Sequence, residues 1–139
     1  MIDLPTALAA RLAAVAAPLV RDLGLRVAAA EPGEVTLALP VTAHLVHGGG
    51  VLCGQAIMAA ADTAMVVALC SLEPDARFRP MTTVQLSTSF LRPVAADAGE
   101  VGVHARVLRT GKTLAYGEIS FTTPDGKLAA HATTTYAYL

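Results

Sequence analysis

Asp62 is the residue whose setting calls for chemistry. It lies in VLCGQAIMAAADTAMVVALC, residues 51–70, an almost wholly apolar run interrupted by Gln55, Asp62 and Thr63. An unpaired charge buried in such a run is strongly destabilising, so the carboxylate needs a partner or a task. Two tasks suit it: a base that takes a proton from water, or a nucleophile in its own right. Gly54 stands eight residues earlier, where the helix carrying Asp62 would open. A glycine there offers an exposed backbone N–H at the positive end of the helix dipole and lets a substrate approach closely. Together the two read as an oxyanion donor and a base. The plainer alternative is an aspartate hydrogen-bonded to a neighbouring strand or capping a break in the helix.

Two nearby residues join the list. His47, in the HGGG loop, carries an imidazole suited to donating to a substrate oxygen or holding a water. Gln55 is seven residues before Asp62 and so nearly on its helical face. His44 has no motif around it, while His104 and His131 fall in strand-like segments and read as structural.

These residues have to be positioned by the rest of a 139-residue chain, long enough for one domain with a real core, taken as residues 1–139. Hydrophobic residues make up 54% and charged residues 15%, with ten basic against eleven acidic. That balance offers no large field for nucleic acid or an anionic membrane. The N-terminal MIDLPTALAARLAAVAAPLV carries Asp3 first and Arg11 within its apolar run, which argues for an amphipathic helix over a signal peptide. Residues 51–70 have spanning length, but the central Asp62 and the strand-rich remainder favour a buried soluble helix. Cys53 and Cys70 would lie roughly 25 Å apart on that helix, too far to pair, and the expectation is a reducing, cytoplasmic setting. With no CxxC, HExxH or His/Cys cluster, neither a metal nor a cofactor is expected.

Periodicity supplies the order of elements. A helix is expected over about 5–20, then a strand in EVTLALP, a Gly-rich turn at 48–50, and the apolar helix to about Ser71. LEPDARFRP, residues 72–80, reads as a loop. From there the period is two: TTVQLSTSFLRP puts Val84, Leu86, Thr88 and Phe90 on one face and Thr83, Gln85, Ser87 and Ser89 on the other. Further strands follow, with turns at TGK and at PDG, residues 124–126. The layout is α+β, an antiparallel sheet curled round one helix, with Ala56, Ala60 and Ala64 allowing close approach.

AAADTAM, TTVQLSTSFLRP, VLRTGKTLAYGEI and DGKLAAHATTTY, over about residues 30–138, resemble hotdog-fold acyl-CoA thioesterases of the phenylacetate-degradation (PaaI) type. The resemblance implies a hydrolase of acyl-coenzyme A thioesters, working as a homodimer or a dimer-of-dimers homotetramer, with the Gly and the acid of one site supplied by different subunits. It makes Thr83 the hydroxyl that orients the water or the acid, with Thr82 the neighbour on the opposite face. It sets Arg109, Gly111 and Lys112 of the RTGK turn near the nucleotide end of coenzyme A, where basic groups hold phosphate, and makes Arg92 a weaker candidate of the same kind. Acyl specificity would come from a pocket near the helix and Leu91.

The chain departs from the family motif, which has His-Gly-Gly nine residues before the acid and Asn or Gln six residues before that His. Counting back from Asp62 without gaps puts Cys53, Gly54 and Gln55 on His-Gly-Gly and His47 on the Asn/Gln position. Matching HGG at 47–49 instead requires six inserted residues. The ungapped match is adopted because it starts the helix at Gly54 with Asp62 two turns inside. A hotdog dehydratase would want an acid where Gln55 stands. A non-catalytic acyl-CoA or small-ligand binding protein is the other alternative.

Overall fold

The computed structural model describes residues 2–75 and 78–139; positions 76 and 77 of the expected loop lie outside them. Helix α1, Leu4–Val15, opens at Asp3, whose carboxylate accepts the Thr6 N–H at 2.9 Å. That bond holds the Asp3 carboxyl below its ordinary value. The single helix expected over 5–20 is two pieces, because Pro18 has no N–H and drives the residue before it out of the helical region. Ala16 and Ala17 are both extended, and a one-turn α2, Pro18–Arg21, follows.

Strand β1, Arg26–Glu31, has no counterpart in the sequence expectations. Its RVAAAE lacks alternation and is poor in β-favouring residues. It forms because β2, Glu34–Pro40, pairs back on it through a Pro32-Gly33 turn, in which Gly33 takes φ +82°. The apolar helix α3 runs Gly54–Cys70, and strands β3 (Met81–Phe90), β4 (Glu100–Thr110), β5 (Leu114–Thr122) and β6 (Leu128–Tyr138) complete the chain. The strands form one antiparallel sheet in the order β1-β2-β4-β5-β6-β3, leaving β1 and β3 as its edges.

The sheet curls round α3, the arrangement of a hotdog fold. Leu37, Val103, Ile119 and Phe121 are buried with Ala60, Ala64 and Met65 of the helix in one core. Contact is closest at Gly117, where a Cβ would meet the Met65 Sδ at 2.6 Å and the Arg106 carbonyl oxygen at 2.7 Å. At the far end of α3, buried Ser71 donates to the Ala68 carbonyl and accepts the Gly33 N–H, tying the helix terminus to the β1–β2 turn. The wrapping is incomplete: Gln55 and Met58 are exposed and Ala59, Asp62 and Val66 partly so, forming an open stripe along the helix.

Strand β3 corrects the expected facing. Thr83 pairs with Tyr136 and Gln85 with Thr135, so Val84 is an extra residue bulged out of the ladder, 58% exposed. The bulge reverses the phase of the first residues of the strand. Thr83, expected on the face away from Leu86, turns to the helix side with it.

Candidate active site

Asp62 sits on the open stripe of α3, partly exposed, with two hydroxyls on one of its oxygens. Thr83 donates to Oδ1 from 2.8 Å and Tyr136 donates to the same atom from 2.5 Å; the Tyr136 hydroxyl also lies 3.0 Å from the Asp62 carbonyl oxygen. Among the described residues, Oδ2 has no hydrogen-bond partner. The Tyr136 side chain is 3% exposed. Burial first, and then the bond to Asp62, push its ionisation well above the ordinary tyrosine range. Tyr136 therefore remains a neutral donor across the physiological range. Sequence reasoning did not single it out. Its signal is a tyrosine on the inner face of an alternating strand, whose hydroxyl needs a partner once buried.

Gly54 is the first residue of α3, and its N-cap Cys53 supplies no side-chain hydrogen bond. The Phe90 ring covers it, 3.4 Å from where a Cβ would stand. Backbone bonds from Leu52 to Val94 and from Cys53 to Leu45 fix the approach to the helix. Gly54, Leu91 and Arg92 line a cleft of about 290 Å³. Asp62 and Tyr136 line a different one of about 220 Å³, walled by α1–α2, Val66 and Phe78. Within the one chain, then, Gly54 and Asp62 line different clefts.

The remaining candidates are spread over the surface. His47 is exposed in its turn, accepts the Gly49 N–H on Nδ1 at 2.8 Å, and lines neither cleft. Gln55 is exposed and makes no hydrogen bond to Asp62, since seven residues of helix carry it roughly 10 Å along the axis. Thr82 is exposed on the face of β3 away from the helix. Arg109, Gly111 and Lys112 form the exposed β4–β5 tip, closed by the Gly111 N–H on Leu114 at 2.8 Å. Arg79, not anticipated, donates to the Lys112 carbonyl at 3.1 Å and stacks 3.7 Å from the Tyr138 ring centre, adding a third cation to that tip. His104 and His131 contact Glu34 and Glu118 on the strands. No described helix is long and apolar enough to cross a membrane.

Comparison with known proteins gives a match of residues 46–130 to the model of the thioesterase superfamily. A Saccharolobus solfataricus protein named "Putative esterase" is 34% identical over 110 residues, covering 79% of this chain and 75% of its own. The phenylacetic acid degradation protein PaaI of Thermus thermophilus, solved as a mutant, shares 27% identity at a TM-score of 0.76, covering 88% of this chain and 100% of that one. A thioesterase-like protein of Streptococcus pneumoniae, solved with coenzyme A, shares the fold at a TM-score of 0.75 and 17% identity, over 83% of this chain and 85% of its own.

Proposed function

The chain belongs to the thioesterase superfamily, and from that premise we propose that it hydrolyses the thioester between an acyl group and coenzyme A, with Asp62 as the reacting acid. The observation that carries the proposal is the asymmetry of the carboxylate: Oδ1 is held by Thr83 and Tyr136 while Oδ2 is left to act. In the base route a water loses its proton to Oδ2 as its oxygen bonds to the acyl carbon. The tetrahedral intermediate then expels the thiolate, which takes up a proton, and a carboxylic acid remains. In the nucleophile route Oδ2 itself bonds to that carbon, the C–S bond breaks, and the thiolate leaves and takes up a proton. Water then hydrolyses the mixed anhydride to the free acid and the regenerated Asp62 carboxylate. Both routes build negative charge on the carbonyl oxygen, which a helix N-terminal N–H is suited to receive.

That N–H is assigned to Gly54 of the partner subunit. The ten-residue edge strand β3 has a free side on which another chain can pair. The Asp62 end of α3 lies by Thr83 and the Gly54 end by Phe90. Antiparallel pairing of two β3 strands would therefore bring each Asp62 towards the other chain's Gly54. Arg92 in the Gly54 cleft, with Arg109 and Lys112 at the hairpin tip, are the groups assigned to the phosphates of coenzyme A; the Streptococcus neighbour solved with coenzyme A is in keeping with such a ligand. His47 and Gln55, exposed and lining neither cleft, are only secondary candidates for contact with the substrate.

The test is thiol release from a panel of acyl-CoAs, with Asp62→Asn as the comparison. Turnover by wild type that falls at least a hundredfold in the variant is expected. The departure from the family motif at Cys53 favours a second reading, a protein that binds acyl-CoA without cleaving it. That reading gains if wild type and Asp62→Asn bind alike and neither releases thiol.

A further inference from the structure

The cleft beside Asp62 is more apolar than a site for water and a carboxylate requires. Leu12, Val15, Ala16 and Val20 wall it from α1–α2, and Val66 and Phe78 close it from the other side. Leu12, Val15, Ala16 and Val20 come from the segment that is interrupted at Ala16–Ala17, before Pro18, so the broken segment supplies one wall of the cleft. We propose that this cleft is the acyl subsite, that it takes an unsubstituted hydrocarbon acyl group of short to medium length, and that the N-terminal helical segment sets that length. The inference rests on Asp62 being the acid that meets the thioester.

The choice of ligand class follows from which polar groups remain free. The Thr63 hydroxyl is engaged by the Ala59 carbonyl at 2.8 Å, and the Tyr136 hydroxyl by Asp62. Among the described residues, the lining offers no uncommitted side-chain donor and no cation; its acceptors are Oδ2 and the lone pairs of the Thr63 and Tyr136 hydroxyls. A second carboxylate on the acyl group would be desolvated there with no described donor to meet it and would also face Asp62, and a hydroxyl would leave its own acceptor lone pairs unmet. A hydrocarbon chain loses nothing on entering and gains from each methylene removed from water. The volume of about 220 Å³ sets the limit on length. The Gly54 cleft is also largely apolar, with Val51, Leu52, Ile57 and Phe90 in its wall, but it carries the cation Arg92, which suits the phosphate-bearing end of the substrate.

The experiment measures kcat/KM for butyryl-, octanoyl-, palmitoyl- and succinyl-CoA with wild type, Val15→Trp and Val20→Ala. In wild type the value should rise about fourfold per methylene from butyryl to octanoyl and stop rising by palmitoyl, with succinyl at least tenfold below butyryl. Val15→Trp, a change at an exposed position in the wall of the cleft, should lower octanoyl turnover at least tenfold more than it lowers butyryl turnover. Val20→Ala should move the optimum to longer chains, a gain that misfolding does not produce. A chain-length profile unchanged in both variants, or succinyl turnover equal to butyryl, overturns the proposal.

Should wild type release no thiol from any substrate, the hydrolase reading fails, and the subsite is judged by calorimetry on Asp62→Asn. Octanoyl-CoA binding at least tenfold tighter than coenzyme A, with the difference lost on adding Val15→Trp, supports the subsite. Equal affinities overturn it.

Discussion

Thr83 and Tyr136 face each other across the β3–β6 ladder, and their two hydroxyls meet on a single atom, Oδ1 of Asp62. The strand pairing thus fixes which carboxylate oxygen is held and which is free. A hydrogen bond to a charged group contributes about 1.5–3 kcal/mol, so each hydroxyl bears on the position of the acid.

Removing the phenol while keeping its ring tests this directly. Tyr136→Phe should lower kcat about tenfold with KM changed less than twofold, and Thr83→Val should do the same. The melting temperature of each should drop by only a few degrees, since the buried volume is kept. A Tyr136→Phe variant with unchanged kcat would show that the bond is structural only.

Tyr136 also leaves a mark at high pH. Its folded pKa lies above the ordinary value of 10.0, because of burial and then Asp62, so the neutral phenol is favoured by the fold. The stability this gives is fully present below about pH 10 and is lost as pH rises from there through the folded pKa. Alkaline titration followed by phenolate absorbance should show a late step that coincides with loss of structure. The step should be missing in Tyr136→Phe.

A site shared between two chains can be restored by mixing two defective ones. Gly54→Val and Asp62→Asn should each be inactive as homodimers. After denaturation and joint refolding, half of the dimers would be mixed, each with one intact site, giving about a quarter of wild-type specific activity. No recovery, or light scattering that finds only monomer, would count against the shared site.

The helix–sheet contact at Gly117 has little room. Gly117→Ala places a methyl 2.6 Å from the Met65 sulfur and 2.7 Å from the Arg106 carbonyl, and the second of these is backbone that cannot swing aside. A loss of about 1–3 kcal/mol in urea unfolding is expected. Adding Met65→Ala should recover little of it, because the clash with the carbonyl persists.

What the sequence disclosed depended on how strong a local signal each element carries. The long apolar run located α3 and its end near Ser71, the two-residue alternation after residue 80 located the four later strands, and the start at Gly54 followed from the resemblance to the family motif. β1 was hidden because Ala28, Ala29 and Ala30 carry no pattern, and only the pairing with β2 makes a strand of them. Pro18 is a break signal set inside an apolar run whose helical pattern outweighs it in the sequence. Tyr136 lies 74 residues from Asp62, so nothing short of the closed sheet joins them. The separation of the Gly54 and Asp62 clefts is likewise a property of curvature, which spacing along the chain does not record.

The bulge at Val84 bears on how this strand is read in other chains. It divides β3 into two stretches whose inside and outside are out of step by one residue. An ungapped alignment with a relative that lacks the extra residue would set Thr83 against an outward-facing side chain. The residue touching that relative's acid would then be sought one place too early. Position 84 is where such an alignment needs its gap.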